Sequence, residues 1–202
     1  MELGHVTYFG PPLEQDGVVL AALPRDLIVL LEQINGFILS EGGLHVRGVC
    51  SAPPWHSLRS VLFGEQALHH LYPILLPTDI PFAQDCVADQ FMLRERLVWK
   101  LQSETGDLIP LELTLSAFLE AAESNPFEFL GMQPLLRYQR EGGSLQPGQV
   151  LSVYPPFCTV EAANGVSLRA VPVGQAISFL AEFARSISSI GDGEKFEVKI
   201  VP

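Results

Sequence analysis

Five histidines, three cysteines and a scatter of carboxylates are the side chains of this chain that could carry chemistry. Their spacing argues against most of it. His5, His45, His56, His69 and His70 contain no H-x-x-x-H or H-E-x-x-H pair, the arrangement that puts two imidazoles on one helical face around zinc. Adjacent His69 and His70 point to different sides of any regular element. Asp79, Asp85 and Asp89 lack the spacing of a calcium loop and its closing glutamate. No metal is expected. Cys50, Cys86 and Cys158 are odd in number, far apart and form no C-x-x-C pair, which fits small packed side chains in a reducing cytoplasm. There is no G-x-S-x-G elbow, no G-x-G-x-x-G and no Walker loop. Gly191-Asp192-Gly193 follows a helical stretch, so it cannot aim a helix N-terminus at a phosphate. No cofactor and no catalytic residue are expected.

Recognition remains. Trp55 follows Pro53-Pro54 and suits either a core or a contact surface. Trp99 alternates with Leu97 and Leu101 and is expected in the core. Asp79, Asp85, Asp89, Glu104 and Asp107 flank predicted strands, where turns gather. They fit either an acidic face that steers a basic partner or simple hydration of loop tips. Trp55 and these five carboxylates are the candidate partner-binding residues.

The elements that must position them read as follows. His5–Phe9 predicts a strand stopped by Gly10-Pro11-Pro12. A helix opens at Leu23-Pro24-Arg25-Asp26, carries Leu27, Leu30, Leu31 and Ile34 on one stripe, and stops at Asn35-Gly36. Phe37–Leu39 and Leu44–Val46 flank a Ser40–Gly43 turn. Trp55–Leu71 is weakly helical and broken by Gly64, and Ile74–Leu76 between two prolines suits an edge strand. Ile80–Gln84, Gln90–Leu93 and Leu97–Leu101 predict three strands, followed by a Glu104–Asp107 turn and an amphipathic helix capped by Thr114. Asn125-Pro126 ends that helix, and 130–150 reads as an ordered coil or a connector. In the tail, 159–163 and 166–170 straddle Asn164-Gly165 as a hairpin, then a helix bears Ile177, Leu180, Ala181, Ala184 and Ile187, and Phe196–Ile200 is a strand. The expected fold is α+β, with a mixed, mainly antiparallel sheet packed by helices over residues 1–145 and a ββαβ extension over 146–202.

The 202 residues can bury a core without disulfides or metals, and 48% hydrophobic content fits a globule. Net charge is −11, carried by the first three quarters of the chain. Twelve scattered Lys and Arg do not make a nucleic-acid surface. No apolar stretch reaches the ~20 residues of a membrane span, and no secretory signal is visible, so a cytoplasmic location is expected.

Leu23-Pro24-x-Asp26 with Leu30-Leu31 and Asn35-Gly36, then Trp55, then Ile80-Pro81-Phe82-Ala83-x-Asp85, Asp89-Gln90-Phe91, the Val98 strand, and Thr114–Leu119 resemble the SUKH superfamily. That superfamily joins Smi- and Knr-type cell-wall regulators with bacterial toxin-immunity proteins. The resemblance covers roughly residues 20–130. Cys86-Val87-Ala88 departs from it, because members usually carry glycines there. The tail from about Gln146 lies outside the common pattern. The resemblance implies an α+β fold and a non-enzymatic role: binding and neutralising a toxin, such as a basic nuclease or deaminase. The alternative is a regulatory or scaffold module with no toxin partner. A third reading is an enzyme using Cys50 or Cys86 with a histidine.

Overall fold

A computed structural model describes residues 4–189 and 191. The expected strand Phe196–Ile200 lies outside the described residues. The architecture is α+β. Seven antiparallel strands run in sequence order as one meander: β1 Val6–Phe9, β2 Phe37–Leu39, β3 Leu44–Val46, β4 Ile80–Asp85, β5 Gln90–Arg94, β6 Leu97–Gln102 and β7 Asp107–Leu113. A separate antiparallel pair, β8 Gln149–Tyr154 and β9 Ser167–Pro172, joins them. Among the described residues, eight α-helices surround the sheet: α1 Gly17–Ala22, α2 Arg25–Gln33, α3 Leu58–Phe63, α4 Leu68–Leu71, α5 Leu115–Ser124, α6 Pro126–Phe129, α7 Gln133–Arg140 and α8 Val173–Ile187.

Local chemistry accounts for much of this. Leu27, Leu30 and Leu31 are the buried stripe of α2. Gly36, at φ +77°, turns the chain into β2 in a conformation that costs a residue with a Cβ. The Thr114 side chain accepts from Ala117 N–H and starts α5. Gly64 separates α3 from α4.

Alternation divides the buried residues. Phe91, Leu93, Val98 and Phe82 join α2 and α5 in the larger core, where Phe118 is ringed by Phe82, Phe91 and Phe129. Met92 and Leu101 face the other way, against Tyr72 and the α8 residues Ala176, Ile177 and Ala181. Residues 146–189 pack onto the sheet by this route. Val150 and Leu151 enter the two cores separately, and Leu151 N–H donates to Cys86 O.

Several local expectations give way. The stretch 130–150 is not merely coil or a connector, because it contains α7 and begins β8. Residues 160–164 form a short 3₁₀ turn ended by Gly165, so Asn164-Gly165 is not a hairpin tip. The partner of β9 is β8, a register set by long-range pairing that the local turn signal masks. Residues 74–76 are a turn, in which Asp79 accepts from Leu76 N–H. Sequence reasoning finds neither α1 nor β7. Pro110 conceals β7, and its missing donor is harmless on the sheet's outer strand. Leu101 is fully buried as expected, whereas Leu97 is exposed and Trp99 is partly covered by the Arg94 guanidinium 5.2 Å from its ring.

Candidate functional site

The α8-facing side of the sheet is not apolar at its centre. Pairing places His45 opposite Gln84, and Gln84 opposite Gln90. Arg47, two residues beyond His45, extends this row. All four are buried. Alternation demands an apolar residue at such positions, so a polar row needs its own account.

Arg47 is 1% exposed. Its Nη1 donates to Pro81 O at 2.9 Å and Ala83 O at 3.4 Å, and its Nη2 to Gln84 Oε1 at 2.5 Å and Gln90 Oε1 at 2.7 Å. Every acceptor is neutral. Nε is buried with no partner, and among the described residues no carboxylate forms an ion pair with Arg47. Burial pulls the guanidinium down to about 9. Arginine still holds its proton at neutral pH, so an uncompensated charge sits inside the fold.

Beside it, His56 Nε2 lies 3.0 Å from Asn35 O and His56 Nδ1 lies 2.8 Å from His45 Nε2. A carbonyl only accepts. His56 therefore donates from Nε2, leaving Nδ1 to accept from His45 Nε2–H. Both rings are neutral. Burial, and then the charge of Arg47, hold His45 well below its ordinary value; burial also lowers His56, against its bond to Asn35. Asn35 is itself fixed, donating to Pro11 O and Val49 O and accepting from Val49 N–H. Gly10, Gly36 and Gly48 crowd His56, and a Cβ on any of them would overlap its ring or the Asn35 carbonyl. These glycines were the available sequence signal for a buried imidazole.

Trp55 covers this cluster. Its ring centroid lies 5.2 Å from Tyr8, 5.2 Å from His45 and 5.4 Å from His56, and the backbone of Gly148 passes against the indole. A groove of ≈ 840 Å³ opens beyond Trp55, between α3–α4 and the start of α8. Arg47 and Gln84 border it, Trp55, Val61 and Ile177 give it apolar walls, and Gly174 and Gln175 bring in the first turn of α8. Such a size and lining suit a small organic ligand.

The candidate carboxylates are dispersed. Asp79 is buried, accepts from Arg94 Nε at 2.8 Å and Nη2 at 2.6 Å, and caps the 74–76 turn. Asp85 is buried in the β4–β5 turn, accepting from the N–H groups of Val87 and Asp89 and from Lys100 Nζ, each at 3.0 Å. Asp89 shares Lys100 and accepts from Ser103 N–H. Glu104 accepts from the N–H groups of Phe157 and Cys158, pinning the β8–β9 loop. Asp107 is exposed. Four of the five thus hold turns, loops or ion pairs, and Trp55 stands apart from them. The turn after Asp85 closes without glycine, with Ala88 at φ +69°.

The described residues contain no cluster able to hold a metal ion. Cys50 and Cys86 are buried and Cys158 is exposed. Burial, and then nearby carboxylates, push Cys50 and Cys158 up to about 11 and Cys86 higher still. All three stay protonated at neutral pH, which disfavours nucleophilic attack. Iodoacetamide at pH 7.5 is therefore expected to label every thiol of the folded chain more slowly than free cysteine, with Cys158 first. A thiol labelling faster than free cysteine would identify an activated nucleophile.

No family model matches this chain, and no curated protein does. Among solved structures, Atu4351 from Agrobacterium tumefaciens is similar, with a TM-score of 0.55, 15% identity, and coverage of 88% of this chain and 85% of that one. At that identity the likeness is one of fold. The matched length, about 178 residues, exceeds the 145 of the first expected unit, so the common fold includes part of the C-terminal segment.

Proposed function

We propose that this chain is a protein-binding module without catalytic activity, an immunity protein of SUKH type that neutralises a basic toxin in the cytoplasm. The observation that carries the reading is the β8–β9 loop. Tyr154, the last residue of β8, is 55% exposed, and Phe157 and Val160 in the connection that follows are 46% and 77% exposed. Glu104 holds the backbone of that connection in place, so the three side chains are presented with little ordering cost. Clustered, exposed large apolar groups mark contact surfaces. The net charge of −11 adds long-range attraction for a cationic partner. The likeness of the N-terminal motifs to immunity proteins supplies the partner class.

No helix among the described residues is long and apolar enough to cross a membrane. The partner is sought among proteins on the strength of the exposed loop, and a nuclease or deaminase domain encoded beside this chain is the first choice. Stopped-flow association with that domain is expected to slow at least ~10-fold between 50 and 500 mM salt. Replacing Tyr154, Phe157 and Val160 together with Ser is expected to speed dissociation ~10-fold or more without moving the melting temperature. Unchanged dissociation would remove the loop from the interface, and failure to bind any neighbouring toxin would remove the immunity reading. Truncation at Gln146 is not a usable test, since it strips α8 from the core.

A further inference from the structure

We propose that the groove bordered by Arg47 is a binding site for a small amphipathic carboxylate, with the anionic head at the first turn of α8 in the field of the buried Arg47 and the apolar tail lying along Trp55, Val61 and Ile177. Three independent features converge there. The first is the buried guanidinium, whose four terminal N–H groups are spent on neutral oxygens while Nε–H has no partner. A buried cation without an anion is costly, and a carboxylate in the groove that Arg47 borders offsets that charge through its field, without touching the enclosed Nε.

The second is α8. This helix has 15 residues, and no side chain caps its N-terminus. Val173 N–H is used by Gly148 O, while Gly174 and Gln175, next in the first turn, are exposed and line the groove. A Cβ built on Gly174 meets nothing within 4 Å, so the backbone there is open to a ligand. Unpaired N–H groups and the positive end of the helix dipole favour an anion.

The third is the groove itself. At ≈ 840 Å³ it accommodates a chain of several carbons, and its walls are mainly apolar. The acidic group on its lining, Glu65, is exposed and disfavours an anion entering from the rim, so any anion preference must come from the interior. The same holds for the net charge of −11, which repels anions from the surface generally. The site is independent of the toxin reading and stands or falls without it.

Isothermal titration of the full chain with octanoate and its uncharged counterpart octanamide tests the site. Octanoate is expected to saturate with one molecule per chain below ~10 mM, and to bind at least ~10-fold more tightly than octanamide. Arg47→Gln is expected to reduce that preference to about twofold or less. Gly174→Phe places a ring where the backbone is open, leaves the core untouched, and is expected to abolish binding of both probes while the chain melts as before. It keeps the test decisive should Arg47→Gln fail to fold. Equal affinity for the two probes, octanoate binding unaffected by Gly174→Phe, or no saturable octanoate binding would each overturn the proposal.

Discussion

Asp85→Ala lowers the unfolding free energy by about 1–3 kcal/mol, an effect read from the urea midpoint at constant m-value. The side chain is 1% exposed, and one oxygen accepts from two turn N–H groups while the other faces Lys100 Nζ at 3.0 Å. Alanine leaves both part-buried donors without an acceptor and returns Lys100 to the single carboxylate of Asp89. Burial works against the charge of Lys100, but Asp85 and Asp89 outweigh it and push the ammonium above its usual range. The trio thus carries one negative charge more than its one cation balances. Burial, and then Asp89, accordingly drive the Asp85 carboxyl up to about 7, against the pull of Lys100. Asp85→Asn keeps an oxygen for the turn donors and is expected to lose roughly half as much. A loss below about 1 kcal/mol for Asp85→Ala would mean that the turn closes without its cap.

The second large effect is on acid stability. The chain is expected to lose about 2 kcal/mol more stability than a His45→Gln variant when the pH falls from 7 to 5. His45 is buried and neutral, its folded pKa depressed by burial and by Arg47. Above pH 6.5 the imidazole is neutral whether folded or not, and its contribution is complete. Below that value only the unfolded chain takes up the proton, so stability is lost progressively as pH falls toward the folded pKa. Asp85, raised to about 7, acts in the opposite sense: its stabilisation is present at low pH and disappears as pH rises through 7. Glu104, raised by burial, acts the same way. Both are common to the two proteins and cancel in the comparison. The glutamine side chain of the variant can still donate to His56 Nδ1, so the hydrogen bond survives. Parallel pH profiles for the two chains would show that the paired imidazoles take up protons within the folded state.

The acid effect originates in residues whose environment is assembled from distant segments. Arg47 is held by Gln84 and Gln90, 37 and 43 residues away, and His56 by Asn35, 21 residues away. Periodicity reports only which positions share a face. It cannot report that His45, Arg47, Gln84 and Gln90 would meet on one. The cluster was also shielded from motif reasoning, because an arginine and two glutamines match no metal or nucleophile pattern. What did carry a trace was the unusual supply of glycine near His56 and Trp55, at positions 10, 36, 48 and 148, where a Cβ would strike an aromatic ring.

The candidate carboxylates illustrate the converse. Asp79, Asp85 and Asp89 sit at strand ends as expected, and the α+β class with its antiparallel sheet followed from the strands they flank. Their role depended on cations elsewhere in the chain: Arg94 for Asp79, Lys100 for the other two. A carboxylate at a loop tip is solvated until tertiary packing supplies a partner and removes the water.

Elements governed by short-range forces were therefore legible: α2 from its leucine stripe, α5 from Thr114, the β2–β3 turn, and the β4–β5–β6 succession. These depend on hydrogen bonds and alternation spanning a few residues. Tertiary structure alone decided the β8–β9 register, the recruitment of Pro110 into the outermost strand, and the burial of Arg47 beside an open helix end. Pairing partners and burial are long-range properties, settled by which surfaces exclude water from one another, and no local pattern encodes that choice.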